Sequence, residues 1–188
     1  MKRGDKKGFT IIEVSLVLAI AGLIFLMIFI ALPALRRTQR DSARREDMMS
    51  FLKELKNFQT NNRGALPTGG DDAVVNYTWG TSAVSNAAES SWAGFFRDYL
   101  GDKFVDPDGV HYNLTVTKCG VSSVDTDCST VNKNSFFRDL GTAGFRDYKI
   151  IVVKQATCLG EKAVGVANPR KVAVLYRLEG AGTYCGNT

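Results

Sequence analysis

The chain has 188 residues, enough for one domain with a hydrophobic core plus an extended element. Apolar residues make up 45% of it, so a disordered chain is not the expected class. The net charge of +5 belongs to the N-terminal part, because residues 64–188 carry twelve basic and thirteen acidic side chains. A nucleic-acid site that depends on the net charge of the C-terminal region is therefore not supported.

The N-terminus is a short basic segment followed by a long apolar one. Residues 1–8 carry four basic side chains against one acid, and residues 14–32 are nineteen residues without a charge. As an α-helix that run is roughly 28 Å long, which matches the hydrocarbon thickness of a bilayer. No secretory cleavage site follows it, so we expect a segment that stays in the membrane. Basic residues flank both ends, and the positive-inside rule does not decide its orientation.

The junction between the two segments resembles the cleavage and methylation motif of the type IV pilin and pseudopilin family. The residues that carry the resemblance are Lys6-Lys7-Gly8-Phe9-Thr10-Ile11-Ile12-Glu13-Val14. They give a basic leader, a glycine before the cut, a phenylalanine after it, and a glutamate at the fifth mature position. The resemblance implies a leader of residues 1–8 that a prepilin peptidase removes between Gly8 and Phe9. It also implies N-methylation of Phe9 by the same enzyme.

The function that this resemblance implies is that of a structural subunit of a type IV pilus-like surface filament, or fimbrium. The precursor is then a single-pass protein in membrane lipid, with a cytoplasmic N-terminus and an external head. Its mature form joins other pilins in a helical homo-oligomer outside the cell, with an assembly platform and an ATPase as indirect partners. The alternatives are a minor or DNA-uptake (competence) pilin with a ligand-binding head, a type II secretion pseudopilin, and an unprocessed anchored binding protein. No cofactor is expected.

Glu13 is a charged residue at the edge of the apolar segment, where an unpaired carboxylate is costly. Cleavage creates a cationic amine on Phe9, and a neighbouring subunit shifted by about one helical turn brings its amine towards Glu13. We hypothesise that Glu13 selects the register in which each subunit joins the filament. The alternative is an interfacial glutamate that reaches the lipid headgroups.

Gly22 and Pro33 are further assembly candidates inside the apolar segment. Proline removes a backbone donor and clashes with the preceding turn, so we expect a kink or local melting around residues 29–33. Members of the family that the chain resembles often carry helix breakers here that loosen on assembly. A helix-packing glycine and an ordinary kink at the membrane exit are the alternatives.

The segment that follows, residues 36–63, has the pattern of an amphipathic helix. Its apolar side chains recur at helical spacings, and the residues concerned are Met48, Phe51, Leu52, Leu55 and Phe58. Gly64 and Pro67 give a stop signal. We therefore predict one nearly continuous helix from about Phe9 to about Asn62, whose first part, residues 9–35, forms the membrane and filament core.

Arginines are concentrated at the start of the amphipathic segment. Arg36, Arg40 and Arg44 share one helical face, and Arg37 and Arg45 flank them. We expect a solvated band that pairs with anionic headgroups before assembly and with acids of adjacent subunits afterwards. A nucleic-acid contact is the alternative.

The remaining residues, 64–188, have the pattern of a small α+β head. Residues 65–86 are loop-like, residues 90–100 predict a short capped helix, and Asp106-Pro107-Asp108-Gly109 predicts a turn. Strands are predicted at residues 111–117, 148–154, 163–167 and 171–177. A long N-terminal helix packed on a small antiparallel β-sheet is also the layout of pilins.

The four cysteines lie in the C-terminal third and lack the close spacing of a zinc site. An exported head favours two disulfides, for which the sequence permits three pairings. We predict Cys119–Cys128 and Cys158–Cys185, since each bond closes a local loop. Four reduced, buried thiols are the alternative.

Two further sets of residues carry side chains that are capable of binding metal or of catalysis. Asp106, Asp108, Asp125 and Asp127 carry oxygens that calcium prefers, but aspartates in turns also bond their own backbone, and we favour that second role. The single histidine, His111, falls in a predicted strand, and the sequence contains no nucleophile elbow, phosphate loop or dinucleotide fingerprint. We expect neither a metal site nor enzymatic activity.

Overall fold

The apolar and amphipathic segments form one α-helix, α1 (Ile11–Asn61), as the sequence predicts. The computed structural model describes residues 8–69, 75–102, 104–119, 128, 148–180 and 182–188. The chain divides within α1 into two compact units, Met1–Gln39 and Arg40–Thr188.

The first unit contains the apolar part of α1. Residues 8–10 precede the helix without regular structure. The helix continues through Pro33, so the local melting expected around residues 29–33 is not seen in this structure. The Thr38 hydroxyl donates to the Ala34 carbonyl oxygen at 3.1 Å, a bond that satisfies a polar side chain within the helix itself.

In the second unit, α1 ends through a defined cap. The Gly64 amide donates to the Gln59 carbonyl at 2.6 Å, and Arg63 has a φ of 56°. A bond across six residues with a left-handed residue before its donor is the Schellman arrangement. Gly64 was predicted to stop the helix, but Arg63 takes the left-handed position where glycine is usual, and Gly64 follows it with a φ of 82°.

The predicted apolar stripe of α1 lies in the core of the head. Met48, Phe51 and Leu55 are fully buried, and Phe58 is buried as well. Phe51 and Phe58 both make edge-on contacts with Phe95, at centroid distances of 5.6 and 5.7 Å. The stripe therefore holds the helix against the head through aromatic packing.

Two short helices follow the loop-like region. They are α2 (Ser82–Ser85) and α3 (Trp92–Phe95), and a π-helical segment, Phe96–Leu100, continues α3. Ser91 caps α3 by accepting a hydrogen bond from the Gly94 amide at 3.1 Å. The capped helix predicted for residues 90–100 is thus confirmed, whereas α2 was missed because its region has the composition of a loop.

The head also contains seven described strands. They are β1 (Val75–Tyr77), β2 (Asn113–Lys118), β3 (Lys149–Lys154), β4 (Ala156–Leu159), β5 (Lys162–Gly165), β6 (Val172–Arg177) and β7 (Thr183–Asn187). The order of the main sheet is β1-β2-β3-β6-β7, and β4 and β5 form a separate hairpin. Four of these strands were predicted, whereas β1, β4 and β7 were not.

The α+β class is confirmed, with one correction to the sheet. Strands β2 and β3 pair in parallel, with Leu114 opposite Ile150, whereas the other pairs are antiparallel. The sheet predicted as antiparallel is therefore mixed, with one parallel pair among its four. The physical reason is that the thirty residues between β2 and β3 allow the chain to return to the same end of the sheet, which a tight hairpin does not.

The central strands of the main sheet, β2, β3 and β6, are buried on both faces. One face, with residues such as Leu114, Val152 and Val174, packs in the same cluster as the stripe of α1. The other face, with Ile151 and Leu175, belongs to a second cluster that includes residues of the β4–β5 hairpin and cysteines. Strands enclosed in this way carry continuous apolar runs rather than alternation.

Candidate functional site

The predicted cleavage site precedes the helix in an exposed stretch. Gly8, Phe9 and Thr10 have no regular secondary structure, and Phe9 is 89% exposed. A peptide bond outside a helix is open to a protease because its backbone groups are not committed to a helical ladder. The geometry therefore suits the cut predicted between Gly8 and Phe9.

Thr10 and Glu13 form a reciprocal cap at the start of α1. The Glu13 carboxylate oxygen Oε2 accepts from the Thr10 amide at 3.0 Å and from the Thr10 hydroxyl at 2.9 Å. The Glu13 amide donates to Thr10 Oγ1 at 3.3 Å. This is a capping box, and the Thr-x-x-Glu spacing that produces it was readable in the sequence but was not used.

The apolar part of α1 is unburied along its whole length. Within the described residues, one helix, α1, is long and apolar enough to cross a membrane, and its most apolar window has a mean hydropathy of 3.0 and no buried residue. Ile11 is 90% exposed, and Phe29 and Ile30 are each 71% exposed. A surface of this kind requires a partner outside the chain, either lipid or another protein.

The two other assembly candidates also lie on this open surface. A side chain added at Gly22 would meet no heavy atom within 4 Å, which leaves room for a close neighbour. Ser15 does not break the apolar character, because its hydroxyl donates to the Ile12 carbonyl at 3.0 Å. Pro33 lies inside the continuous helix.

Arg44 is the centre of a buried charged network in the head. Only 3% of its side chain is exposed, and it binds Asp106 through two bonds, from Nε at 2.7 Å and from Nη2 at 3.0 Å. Its guanidinium also reaches Asp108 at 2.9 Å, Glu179 at 2.9 Å and Asp41 at 3.4 Å. A planar guanidinium with five donors is suited to several carboxylates at once.

Arg40 and Asp41 extend this network, which we call the Arg44 network. Arg40 contacts Glu179 at 2.8 Å, and Asp41 accepts from the backbone amides of Glu179 and Gly180 at 2.9 and 2.8 Å. The network therefore joins α1 to the aspartate turn at residues 106–109 and to the segment after β6.

This arrangement corrects the expectation of a solvated arginine band. Arg44 is buried and Arg40 is bound to acids of its own chain, whereas Arg36, Arg37 and Arg45 are exposed. The sequence places all five on or beside one helical face, but it does not show which of them meets an acid from a distant segment.

Two buried tyrosines donate hydrogen bonds to carboxylates in and beside the Arg44 network. Tyr176 donates to Asp106 at 3.1 Å, and Tyr112 donates to Asp47 at 2.6 Å. Burial raises the pKa of Tyr112, and its hydrogen bond to Asp47 acts in the same direction. Both phenols therefore remain protonated donors at neutral pH.

The pKa values of two carboxylates near Arg44, those of Asp47 and Glu179, are shifted in opposite directions. Burial raises the pKa of Asp47, although the hydrogen bond from Tyr112 opposes this effect. Burial also disfavours the charged form of Glu179, but hydrogen bonds from Arg40 and Arg44 outweigh it and lower the pKa of Glu179. Hydrogen bonds to Asp106 and Glu179 likewise outweigh burial and raise the pKa of Arg44.

The calcium candidates divide between described and undescribed residues. Asp106 and Asp108 bind the Arg44 guanidinium, and the Asp108 amide donates to Asp106 Oδ1 at 3.0 Å, a turn bond. Asp125 and Asp127 lie outside the described residues. Among the residues that the structure describes, no group of three or more His, Cys, Asp or Glu side chains is placed to hold a metal ion.

The structure joins the cysteines in sequential pairs. Cys119 is bonded to Cys128 and Cys158 to Cys185, with Cα separations of 5.3 and 5.8 Å. The second bond ties β4 of the hairpin to β7 at the edge of the main sheet. His111 lies before β2 and stacks on Trp79 at a centroid distance of 5.5 Å.

One comparison with known proteins supports the motif read at the N-terminus. Residues 3–29 match the profile of the prokaryotic N-terminal methylation motif. A comparison with curated proteins and one with solved structures found no match. The chain thus carries the prokaryotic N-terminal methylation motif, the class III signal peptide of type IV pilins, in front of an α+β head.

Proposed function

We propose that the protein is a structural subunit of a type IV pilus-like surface filament. It is held in the membrane as a precursor, cut between Gly8 and Phe9, methylated on Phe9, and assembled through residues 9–35. The observation that carries this proposal is the junction of a methylation motif with an apolar helix that has no buried residue in its most apolar window.

The apolar helix supports assembly because it has two suitable environments. In the precursor, lipid tails cover its side chains, and every backbone bond is satisfied inside the helix. In a filament, the same side chains pack against sister helices. Exchange between lipid and protein requires little change in hydrophobic free energy, so packing and polar contacts decide it.

The geometry of Glu13 supports a role in that decision. Both bonds from Thr10 end on Oε2, and Oε1 makes no hydrogen bond within the described part of the chain. A carboxylate accepts about four hydrogen bonds, so one oxygen remains for a donor from outside. Hydrolysis of the Gly8–Phe9 bond leaves an ammonium on Phe9, and methylation keeps that nitrogen protonated. The Phe9 amine of a neighbouring subunit is therefore the donor that we assign to Glu13.

Mass spectrometry of the mature N-terminus tests the processing step. We expect the isolated protein to begin at Phe9 and to carry one additional methyl group on the terminal nitrogen. If protein from filament-producing cells still begins at Met1, the proposal is contradicted and an anchored binding protein is favoured.

The register step is tested by Glu13→Gln in a filament-producing cell. Glutamine keeps the size of the side chain but lacks the charge that attracts the Phe9 amine. We expect normal cleavage at Gly8 with a severe loss of sheared filaments. Glu89→Gln, at an exposed position of the head, is the matched control and should assemble normally. Equal filament yields from both variants would show that Glu13 does not select the register.

The abundance of the protein in sheared filaments separates the remaining roles. A main subunit dominates such a preparation, whereas a minor pilin is present in trace amounts. A secretion pseudopilin yields no long surface filament at native expression. We expect this protein to be the dominant species in the sheared filaments. Recovery in trace amounts would contradict that expectation and indicate a minor pilin.

A further inference from the structure

A groove of about 590 Å³ is bordered by the end of α1 and by the segment that contains α3. Its described lining consists of two aromatic rings, two carboxylates, one amide and one hydroxyl, from Phe58, Tyr99, Glu89, Asp98, Asn62 and Ser90. None of these residues is basic. The volume lies within the range of small-ligand sites, roughly 300–1,000 Å³. We call this site the acidic groove.

The aromatic wall of the acidic groove is held in place by ring packing. Tyr99 stacks on Phe95 at a centroid distance of 5.3 Å and meets Phe58 edge-on at 5.4 Å. Phe58 is buried, whereas Tyr99 is partly exposed. The Tyr99 hydroxyl makes no hydrogen bond among the described residues. Tyr99 therefore offers the groove a positioned ring and an unused hydroxyl.

Asp98 is positioned by its neighbour Arg97. Arg97 Nε and Nη2 donate to the two Asp98 oxygens at 2.6 and 2.8 Å, and Nη1 donates to the carbonyls of Ser85 and Ala87, each at 3.0 Å. The hydrogen bonds from Arg97 outweigh desolvation and lower the pKa of Asp98, which therefore stays ionised at neutral pH. Each oxygen of an ionised carboxylate accepts about two bonds, so both Asp98 oxygens can take a further donor.

Glu89 supplies the unpaired charge of the acidic groove. It is exposed and forms no ion pair among the described residues. Its backbone lies close to Gly94, where an added side chain would come within 2.8 Å of the Glu89 Cα, so the turn before α3 is tightly packed. Since Arg97 offsets the charge of Asp98, one net negative charge remains, and it belongs to Glu89.

The hydrogen-bonding groups of the described lining are mainly acceptors. Ionised Glu89 and Asp98 can only accept, and Asn62 Nδ2 already donates to the Phe58 carbonyl at 2.9 Å. An anion is therefore repelled. A sugar is poorly matched, because its hydroxyls need donors as well as acceptors. A positively charged group with several N–H donors matches both the charge and the acceptors.

We propose that the acidic groove binds the guanidinium or ammonium group of an external ligand, of the kind that an arginine or lysine side chain carries. The carboxylates accept charge-assisted hydrogen bonds, and the rings of Tyr99 and Phe58 attract a cation. The chain already holds one guanidinium in a similar setting, since Arg44 is bound by Asp106, to which Tyr176 also donates. The described lining belongs wholly to the unit Arg40–Thr188, so the inference does not depend on filament assembly.

Calorimetric titration of the detergent-solubilised full-length protein with N-acetyl-arginine amide tests the site. N-acetyl-citrulline amide is the matched ligand, because its urea group has nearly the shape of guanidinium but no charge. We expect the arginine compound to bind about tenfold more tightly or better, since its hydrogen bonds to the carboxylates are charge-assisted.

Three variants locate the binding. Glu89→Gln removes the unpaired charge and should weaken arginine binding about tenfold without changing the denaturation curve. Tyr99→Leu removes the ring and should weaken binding about two- to fivefold. Glu46→Gln, at an exposed position of α1 outside the described lining, is the matched control and should keep the original affinity. Filament yield should stay normal in Glu89→Gln, so this inference and the filament proposal can fail separately.

The opposite results overturn the inference. Equal affinities for the arginine and citrulline compounds would exclude a cation site, and equal losses in Glu89→Gln and Glu46→Gln would mean that general surface charge attracts the ligand. Normal cleavage at Gly8 without filaments in Glu89→Gln would assign the groove to a basic side chain of a neighbouring subunit instead of an external ligand.

Two further probes distinguish the sources of the cation. A blocked pentapeptide with one arginine between alanines that binds more tightly than N-acetyl-arginine amide would support a protein partner. Tighter binding of spermidine than of the pentapeptide would support a small free cation. If neither probe binds, the acidic groove is not a cation site.

Discussion

Glu13 and Asp106 are carboxylates in two regions of the molecule that satisfy them in opposite ways. Glu13 lies exposed in the first turn of α1 and finds its described partner three residues away in Thr10, just before the helix. Asp106 is bound by Arg44 and Tyr176, which lie 62 and 70 residues away, and its side chain has no exposed surface. One carboxylate has an oxygen, Oε1, with no hydrogen bond among the described residues, whereas the other is enclosed by the fold.

The apolar side chains of α1 show the same division. Ile11 is almost fully exposed, whereas Met48, Phe51 and Leu55 are fully buried. One helix therefore presents an exposed apolar surface in its first part, to which we assign assembly, and a buried apolar surface within the head in its second. Substitutions in the first part should affect filaments, and those in the second should affect the stability of the head.

The largest effect on stability is expected from Arg44→Met. The substitution leaves Asp106 buried without its cation, and removal of one member of a buried pair lowers the free energy of unfolding by about 3–5 kcal/mol. Chemical denaturation of the full-length protein in detergent measures this loss. Arg45→Met at the exposed neighbouring position is the control and should change the stability by less than about 0.5 kcal/mol. Similar values for the two variants would show that the Arg44 network does not hold the head together.

A smaller loss is expected from Gly94→Ala in α3. A side chain at this position would overlap the Ala88 carbonyl and the Glu89 backbone, which do not move as easily as the end of a side chain. We expect destabilisation by about 1–3 kcal/mol in the same denaturation assay. Gly22→Ala is the matched control, because its new methyl group meets nothing within 4 Å. The control should retain the stability of the head and lose filament yield, and the reverse pattern would contradict the division within α1.

Two acidic residues, Glu179 and Asp47, should change the stability in opposite directions as the pH rises. The pKa of Glu179 is lowered below its ordinary value of 4.5 by hydrogen bonds from Arg40 and Arg44 that outweigh burial. Its stabilising contribution is therefore complete above pH 4.5 and is lost as the pH falls through the folded-state pKa. Burial raises the pKa of Asp47, so the contribution of Asp47 is present at low pH and is lost as the pH rises through its folded-state value.

Two variants isolate these contributions in denaturation curves between pH 3 and pH 7. Glu179→Gln should lower stability at pH 7 by less than about 2 kcal/mol and flatten the acid side of the curve. Asp47→Asn should leave stability at pH 7 unchanged or increased, because asparagine still accepts from Tyr112 without a buried charge. If Asp47→Asn loses as much stability at pH 7 as Glu179→Gln does, the Asp47 carboxylate stabilises the fold at that pH, and the raised pKa assigned to Asp47 is wrong.

The sequence predicted the features of the molecule that depend on local pattern. Helical periodicity gave α1 within two residues at its start and one at its end, and alternation gave β2, while buried apolar runs gave β3 and β6. The parallel pairing of β2 and β3 was missed because it depends on where a thirty-residue connection returns. The Arg44 network was missed for the same kind of reason, since no local pattern links Arg44 to Asp106 or Glu179. The capping box of Thr10 and Glu13, by contrast, follows from the local Thr-x-x-Glu spacing.

The smallest effect on the head, and the finest test of the comparison, is expected from Thr10→Val. The valine side chain matches the shape of threonine but neither accepts nor donates a hydrogen bond. Glu13 therefore loses the bond from the hydroxyl and keeps the bond from the backbone amide of residue 10. We expect an unchanged denaturation curve for the head, unchanged cleavage at Gly8, and a partial loss of sheared filaments as the Glu13 carboxylate becomes less ordered. Thr10→Ser keeps the hydroxyl and should restore the yield. If Thr10→Ser assembles as poorly as Thr10→Val, the shape of the side chain rather than its hydrogen bond matters at residue 10. The register would then depend on Glu13 without a contribution from the Thr10 hydroxyl.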